Sequence, residues 1–588
     1  MPPPKFKVRV EKSVMVPMRD GIRLSTDLYF PEGVGVKLPV ILIRTPYNKQ
    51  VRWLQPAINF FAGQGYVVAV QDVRGKFESQ GDYVISAADP QDGYDTDDWL
   101  SAQSWSSGKI GTYGCSYLGD VQVMQARLRN PKLAAMIPQA AGSSITYRYF
   151  GLWNGGALEL AAGLGWFRDF GSKVYIHFPD STSHEAFLAS KKYFDIAPKL
   201  PPINYQEAWR ALPLIGAVRR LGGPPTDWEA VVSHAPGDPW WDQFGYVKPD
   251  DHFDTPSLQV NSWYDFGIGE TLYQFNLFRT NAVDTRGRDN QFIVISPTPH
   301  CASESATEHT VVGSRDLGDA QFDYWQLYLH WFDYWLKGIS NGVTSMPKLQ
   351  IYVMGRGQWR SENEWPLART KFTNYYLHSD GHANSRFGTG TLTTNAPSDE
   401  VSDQYFYDPG TPVPSVGGPV CCTGTTEAPA GSFDQSGVEI RNDVLVYTTP
   451  VLSKGIEVTG PIKAVLYVSS SAKDTDFTGK LVDVYPDGTA YNVQEGILRA
   501  RYREGFEKTV WIKPNTVYPV IICLEATSNY FPPGHRIRLE VSSSNFPRFD
   551  RNLNTGGKNY DESTWEVAHN FIHHSKRYPS RIVLPVIP

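Results

Sequence analysis

The spacing of apolar and polar positions changes twice along the chain, and each change predicts a different texture. In the first 140 residues, Val8 to Val16 and Arg23 to Tyr29 alternate with a period of two, whereas Pro39 to Ile43, Gly65 to Val70, Lys109 to Tyr113 and Leu133 to Ala140 are nearly continuous apolar runs. A strand covered on both faces has no polar face to show, so the continuous runs predict the interior of a parallel sheet. Asp95 to Leu100 and Gln122 to Arg129 carry helical spacing between them, and strands alternating with helices predict a mostly parallel sheet. From Tyr147 to about Trp240 helical spacing dominates, at Gly156 to Phe170, His184 to Tyr193 and Tyr205 to Leu212. That segment predicts a helical insertion, closed by the proline-punctuated A-P-G-D-P-W-W-D. Strand patterning returns at Pro256 to Val260 and Gln291 to Ile295, followed by an amphipathic helix over Asp319 to Leu336. From Lys348 onward the runs are short and alternating, at Leu349 to Val353, Phe372 to Leu377, Ile462 to Val468, Leu481 to Tyr485 and Ile537 to Val541. Their punctuation by Gly, Pro, Asn and Asp predicts an all-β sandwich. Asn395 to Ser432, rich in Gly, Pro, Ser and Thr, reads as a long loop within it.

The chain of 588 residues is too long for a single ordinary core. The pattern divides it into a sheet-forming part (1–145), the helical insertion (146–240), a second sheet-forming part (241–347) and the all-β part (348–588). With 55 Lys and Arg against 61 Asp and Glu, a net charge of -6 and no long basic run, nucleic acid is a poor partner. Aromatics make up 13% of the residues, enough to line pockets as well as fill cores. The five cysteines, at 115, 301, 421, 422 and 523, have neither zinc-ligand spacing nor the regularity of a disulfide framework, and so predict a reducing compartment. The N-terminus M-P-P-P-K-F-K-V-R-V has no apolar signal core, and no run is long enough to cross a membrane. A soluble, cytoplasmic protein is the expectation, with homo-oligomerisation left open. There is no H-E-x-x-H and no phosphate-binding loop, so neither metal nor cofactor is expected. His573 and His574 read as surface residues.

The candidate chemistry centres on Gly111 to Asp120, G-T-Y-G-C-S-Y-L-G-D. Ser116 falls between a predicted strand and a predicted helix, and a nucleophile on such a turn needs small neighbours because its own backbone is strained. Gly114 and Gly119 supply them, although the usual G-x-S-x-G has its second glycine where this chain has Leu118. An acyl-transfer serine also requires a base and an acid that orients it, which in α/β hydrolases follow in the order Ser, Asp or Glu, His. Asp265 follows S-L-Q-V-N-S-W-Y, and His300 follows F-I-V-I-S-P-T-P. His309, the competitor, follows a polar run with no strand before it. The backbone N-H of Tyr117, next after the nucleophile, is one donor for an oxyanion.

The run G-x-S-Y-x-G at Gly114 to Gly119, with R-T-P-Y-N-K at Arg44 to Lys49, D-V-R-G at Asp72 to Gly75 and D-G-Y-D-T at Asp92 to Thr96, resembles the cocaine esterase and X-prolyl dipeptidyl peptidase group of serine hydrolases. The likeness continues through W-Y-D at Trp263 to Asp265, M-G-x-x-x-W-R ending at Arg360, and P-S-R-I-V-L-P-V at Pro579 to Val586. It implies an α/β-hydrolase core with the helical segment as a cap, a C-terminal jelly roll, Asp265 and His300 as partners of Ser116, and the Tyr47 hydroxyl as the second oxyanion donor. Two positions depart from the family, Thr298 where tryptophan is usual and Cys301 where glycine is frequent. Asp72 and Arg74 read as an ion pair or loop anchor near the site. Phe266, Trp153 and Trp166 are the expected wall of an apolar acyl pocket. The expected substrate is a small carboxylic ester, with some amides, cleaved through an acyl-enzyme. The rival within the same chemistry is an X-prolyl dipeptidyl peptidase, or an α-amino acid ester hydrolase, which must bind a free amine. Acids placed two and three residues after the aspartate in amine-binding relatives are absent here, Glu270 being the first, which leaves cap acids such as Glu159 or Asp169. A remote alternative is a non-catalytic carbohydrate-binding protein.

Overall fold

The computed structural model describes residues 1–144, 152–173, 183, 185–186, 200 and 202–588. Strands β1 (Val8–Pro17), β2 (Arg23–Pro31), β3 (Leu38–Thr45), β4 (Val67–Asp72), β5 (Ser106–Cys115), β6 (Leu133–Gln139), β7 (Ser257–Tyr264), β8 (Gln291–Pro299), β9 (Leu349–Val353) and β10 (Gln358–Glu362) form one ten-stranded sheet. Its order is β1-β2-β4-β3-β5-β6-β7-β8-β9-β10. The run from β4 to β9 is parallel, and the outer strands β1, β2 and β10 pair antiparallel. The continuous apolar runs are the parallel interior, where β4 and β6 are buried at every position. Alternate residues of β3 serve opposite faces: Ile41 and Ile43 join one core, Val40 and Leu42 another.

Helices α1 (Gln55–Gly63), α2 (Asp89–Ala102), α3 (Tyr117–Ala126), α4 (Leu160–Phe170), α5 (Ile268–Thr280) and α6 (Tyr324–Lys337) include two, α1 and α5, that periodicity misses. α5 buries Leu272 and Phe275 beside Thr271 and Gln274, so its covered surface is not a clean apolar stripe. α4 begins four residues after the predicted Gly156. Gly155 and Gly156, at φ +53° and +84°, turn a small hairpin between Trp153–Asn154 and Ala157–Leu158. A Cβ on Gly155 would strike the backbone of Ile497, and one on Gly156 the ring of Tyr502. The helix predicted over His184 to Tyr193 lies, apart from Glu185 and Ala186, outside the described residues. The rest of the helical segment contains Tyr205–Arg210, Ala217–Arg220 and Trp228–Ser233. Its Trp209 and Trp228, with Trp241 just past its end, are fully buried and share one core with α4 and with Ile41 of the sheet.

The C-terminal domain is all-β. Eleven strands between Lys371 and Ile587 are joined by hydrogen bonds. The strand Ile456–Ser470 pairs antiparallel with Tyr518–Phe531, Arg581–Ile587 and Ala568–His573. Its core is continuous with Trp263 and Tyr264 of β7 and Ile351 of β9, so apolar packing joins this domain to the α/β sheet. Two expectations are corrected here. The segment read as a loop over Asn395 to Ser432 contains the strand Asp403–Tyr407, because the alternation of D-Q-Y-F-Y buries Tyr405 and Tyr407 despite its polar surroundings. His574 is fully buried rather than on the surface, its Nε2 2.8 Å from Asp403 Oδ2 and its Nδ1 3.3 Å from Glu400 Oε2. These carboxylates raise its pKa even though burial works the other way.

Candidate active site

β5 ends at Cys115 and α3 begins at Tyr117, leaving Ser116 at φ +63° and ψ -131°. Such a conformation costs about 1 to 3 kcal/mol for a residue other than glycine and persists only where neighbours hold it. The Ser116 N-H donates to Gln139 O at 2.9 Å, and the Ser116 carbonyl accepts from the N-H groups of Gly119 and Asp120 at 2.7 and 2.8 Å. A Cβ on Gly114 would lie 2.5 Å from Leu118 Cβ, and one on Gly119 would meet the Gln139 carbonyl. Both glycines are therefore required by close approach. The shifted second glycine serves the packing of α3 on β6. The Tyr117 N-H, first in α3, lies among the donors that a helix start leaves without intrahelical partners.

R-T-P-Y-N-K is a loop pinned at both ends by buried cations. Arg44 donates to Gln71 Oε1 at 3.0 Å, Asp89 O at 2.7 Å and Asp89 Oδ1 at 3.1 Å. Lys49 Nζ reaches Glu78 at 2.7 Å, Asp72 at 3.2 Å and Asp27 at 3.8 Å. Asp72 is thus the anchor of Lys49 rather than the partner of Arg74, which pairs instead with Asp92 and Asp20, each at 2.6 Å. Asp89 also accepts a 2.5 Å bond from the Tyr117 hydroxyl, tying this network to α3. The loop presents Tyr47 to Ser116. Trp166 Nε1 donates to the Tyr47 hydroxyl at 3.0 Å, leaving the phenolic proton free to be given elsewhere. Burial pushes the Tyr47 pKa far up against the opposing hydrogen bonds to Trp166 and Ser116, so the phenol keeps that proton.

Asp265 and His300 stand just beyond the carboxyl ends of β7 and β8. Asp265 is fully buried. Its Oδ1 accepts from the Gly267 N-H at 2.7 Å, and its Oδ2 lies 2.5 Å from His300 Nδ1. His300 Nε2 is buried without a partner among the described residues. Burial pushes the imidazole down, but the charge and hydrogen bond of Asp265 outweigh it and raise the pKa to about 9. Beneath the pair is a hydroxyl cluster that the sequence did not announce. Ser262 Oγ lies 3.0, 2.9 and 3.1 Å from the hydroxyls of Ser296, Thr298 and Ser303. Thr298, the departure from the family pattern, is one of its members. His309 is exposed and has no such setting.

A cavity of about 530 Å³ opens over Ser116, bordered by Tyr47, Trp53, Trp166, Phe170, His300 and Trp325 among others. A smaller one of about 50 Å³ adjoins it, bordered by Tyr117, Leu152, Trp166 and Phe266. Trp166 borders both, and the Phe266 ring lies 5.2 Å from the His300 ring. Trp153 borders neither; it is buried against Tyr560 with ring centroids 5.5 Å apart, so its bulk fills core rather than pocket.

Cysteine is where the sequence reading fails most clearly. Cys115 and Cys301, adjacent to Ser116 and His300, form a disulfide. Cys421 and Cys422 are free and border the cavities from the loop that the all-β domain sends toward the site. One ligand atom each from His300, Cys421 and Cys422 lies within 4.8 Å of the others, a donor set that suits a soft cation. Asp265 occupies His300 Nδ1, so a metal would take Nε2, the nitrogen a nucleophilic serine needs.

A serine on a strained strand-to-helix turn, followed in chain order by a carboxylate and a histidine bonded to one another on neighbouring parallel strands, defines a serine hydrolase of the α/β-hydrolase class. The chain belongs to the cocaine esterase and X-Pro dipeptidyl-peptidase family. The family profile of the X-Pro dipeptidyl-peptidase (S15 family) matches residues 20–302, and that of the X-Pro dipeptidyl-peptidase C-terminal non-catalytic domain matches 341–583. Cocaine esterase of Rhodococcus sp. is 39% identical over 586 residues, covering 98% of both chains. Among solved structures, an aminopeptidase from the marine sediment archaeon Thaumarchaeota archaeon superposes with a TM-score of 0.79 at 25% identity, covering 99% of this chain and 97% of the other. A selenomethionine-labelled α-amino acid ester hydrolase shares the fold at a TM-score of 0.80 and 24% identity, with the same coverage.

Proposed function

We propose that the protein hydrolyses small carboxylic esters with apolar or aromatic acyl groups. Ser116 is the nucleophile, His300 the general base and then acid, and Asp265 the group that orients the imidazole. The observation that carries this reading is the His300 ring, fixed through Nδ1 by a buried carboxylate with Nε2 left unpartnered in the cavity over Ser116. In the first step His300 Nε2 takes the Ser116 proton as Oγ attacks the ester carbonyl, and Asp265 stabilises the imidazolium that forms. The oxyanion is met by the Tyr47 hydroxyl and the Tyr117 N-H. The imidazolium then protonates the leaving alkoxide. Water, deprotonated by the same nitrogen, releases the acid from Ser116.

The ester reading is favoured over the dipeptidyl peptidase by the state of the acids that the cap and the aspartate loop offer; Glu304, which borders the large cavity and accepts from Gln139 and Tyr328, and Asp120, which borders the small one, are the carboxylates an amine substrate would have to reach. Glu159 is held by Arg548 at 3.2 Å and Asp169 by Arg168 at 2.9 Å, so neither offers an uncompensated carboxylate. Glu270 and Glu525 lie outside the lining of both cavities, and burial, with their mutual charge in the case of Glu525, raises them to about 7 and 8. Burial thus favours the neutral form of both carboxyl groups, which weakens them as ammonium partners.

In this reading residues 1–145 and 241–347 form the hydrolase core, 146–240 its cap and 348–588 a jelly roll that lends Cys421 and Cys422 to the cavity wall. Among the described residues no helix is long and apolar enough to cross a membrane. A cytoplasmic setting would require the disulfide to persist beside a thiol pool. A homo-oligomer would add nothing to a site that one chain completes. Turnover of p-nitrophenyl esters of graded chain length should far exceed that of X-Pro-p-nitroanilides, and Ser116→Ala should lose about 10⁶-fold in kcat. Faster anilide cleavage would reverse the substrate assignment, and an active Ser116→Ala would remove the nucleophile.

A further inference from the structure

β5 and β8 are separated in the sheet by β6 and β7. Their carboxyl ends should therefore lie three strand spacings apart, about 14 Å. The Cα atoms of Cys115, the last residue of β5, and Cys301, two residues beyond β8, are 5.9 Å apart. The turn after β8 must fold back across the ends of two strands to bring His300 to Ser116, and the disulfide spans that return.

What else holds the turn lies at its two ends, where beyond Ser303 the Glu304 carboxylate accepts from Gln139 Nε2 at 3.0 Å and from the Tyr328 hydroxyl at 2.7 Å. The turn is anchored on one side where Pro299 pairs with Tyr264, and on the other where Ser303 enters the hydroxyl cluster. Between these anchors Cys301 is exposed and adopts φ +53°, a left-handed conformation that a non-glycine residue keeps only under constraint. The backbone of the turn closes with Ala302 N-H to Pro299 O at 3.2 Å, and the Ala302 carbonyl accepts from the Ser305 N-H at 3.0 Å and the Ser305 hydroxyl at 2.6 Å. The 2.5 Å contact with Asp265 orients the ring of His300 but does not set its separation from the nucleophile. The Cys115–Cys301 bond does set it, because its two ends are the chain neighbours of Ser116 and His300.

We propose that the Cys115–Cys301 disulfide is a positioning element of the hydrolase and the point at which thiol reductants control it. The bond holds the His300 turn against the end of β5, beside Ser116. The inference rests on the roles proposed for those two residues. Both sulfurs are reachable, since Cys115 and Cys301 border the large cavity and Cys301 is exposed. A dithiol cuts the bond in two steps. One thiolate attacks a sulfur to give a mixed disulfide and expels the other cysteine as a thiolate; the second thiol then closes the reductant into its own cyclic disulfide. Two electrons and two protons pass to the protein, and the histidine turn keeps only its noncovalent anchors. A displacement of the order of 1 Å between reacting groups costs roughly a hundredfold in rate.

The test uses the full chain treated with dithiothreitol and freed of reductant under anaerobic conditions. Titratable thiols in the unfolded protein should rise from three to five as the bond opens. With p-nitrophenyl ester as substrate, kcat should fall about 10- to 100-fold while KM stays nearly unchanged. The rate at which a fluorophosphonate labels Ser116 should fall in proportion, and reoxidation should restore both. Cys115→Ala/Cys301→Ala should show the same lowered kcat and be indifferent to reductant; should that variant fail to fold, reduced wild type decides. Reduced enzyme that keeps its kcat would overturn the proposal. So would a rate loss that merely follows loss of the near-UV circular dichroism of the folded state, since the bond would then be a stabiliser only. Ser116→Ala keeps the two ideas apart. If it is inactive while reduced enzyme runs at full rate, only the positioning role fails; if it is active, the functional reading fails first.

Discussion

Tyr47 and His300 approach Ser116 from loops that are held by opposite means. The Tyr47 loop is pinned by buried charge, with Arg44 on Asp89 at one end and Lys49 among Asp72, Glu78 and Asp27 at the other. The His300 turn is held by neutral hydroxyls, the carboxylates of Asp265 and Glu304 and a disulfide. Buried ions deprived of a partner are costly to the whole fold, whereas a turn over strand ends can move while the sheet beneath it stays packed. Damage to the first region should therefore register as lost stability, and damage to the second as lost rate.

The largest separation should come from His300→Ala. It removes the proposed base and should cost about 10⁶-fold in kcat, as expected where residues act as a unit, with a melting temperature close to wild type. A strongly destabilised variant would show that the histidine turn carries structural load after all. Lys49→Met should give the reverse signature. It strands buried carboxylates and should destabilise by about 3 to 5 kcal/mol, measured by urea unfolding, while the fraction still folded keeps its turnover per site. Near-native stability in that variant would dissolve the contrast between the two loops.

Tyr47→Phe keeps the loop and removes only its hydroxyl. It should lower kcat about a hundredfold, near 3 kcal/mol, with KM and stability little changed, because the donor meets charge that exists only in the transition state. A rate within twofold of wild type would place the second donor elsewhere.

The smallest effect is a shift along the pH axis. The base must be neutral to accept a proton, and His300 is raised from 6.5 to about 9 by Asp265 against its burial. Ester kcat/KM should therefore keep climbing with pH beyond neutrality toward 9, and Asp265→Asn should move the midpoint down along with a large loss of rate. The stability sign is opposite. A group whose pKa is raised on folding contributes fully below its unfolded value, so the pair's contribution is complete below pH 6.5 and is lost as pH passes about 9. A profile already flat above pH 7 would mean that the carboxylate does not govern the histidine in solution.

Much of this architecture is readable from short stretches. Continuous runs such as Val67–Asp72 mark the parallel interior because a strand covered on both sides cannot afford a polar face. The three residues proposed for the chemistry could be placed in order because each follows a strand, and strand ends are local events. Where reading failed, the deciding information was not local. Trp153 looked like a pocket residue from its segment, yet its neighbour is Tyr560, more than four hundred positions away. α5 escaped notice because its buried face includes Thr271 and Gln274, and the strand Asp403–Tyr407 was masked by the composition around it.

By itself the sequence determined the fold class, the strained serine turn and the chain order of the carboxylate and histidine, since period, glycine placement and strand boundaries are set by interactions within a few residues. Only the tertiary structure decided the distances. It brought Cys115 to Cys301 across a separation of 186 residues, sent Cys421 and Cys422 from the all-β domain to the cavity over Ser116, and joined Ser262, Ser296, Thr298 and Ser303 beneath the histidine. Each of these depends on where distant parts of the chain come to rest. That outcome is fixed by the packing of the whole sheet and its cap, which no spacing of residues along the chain records.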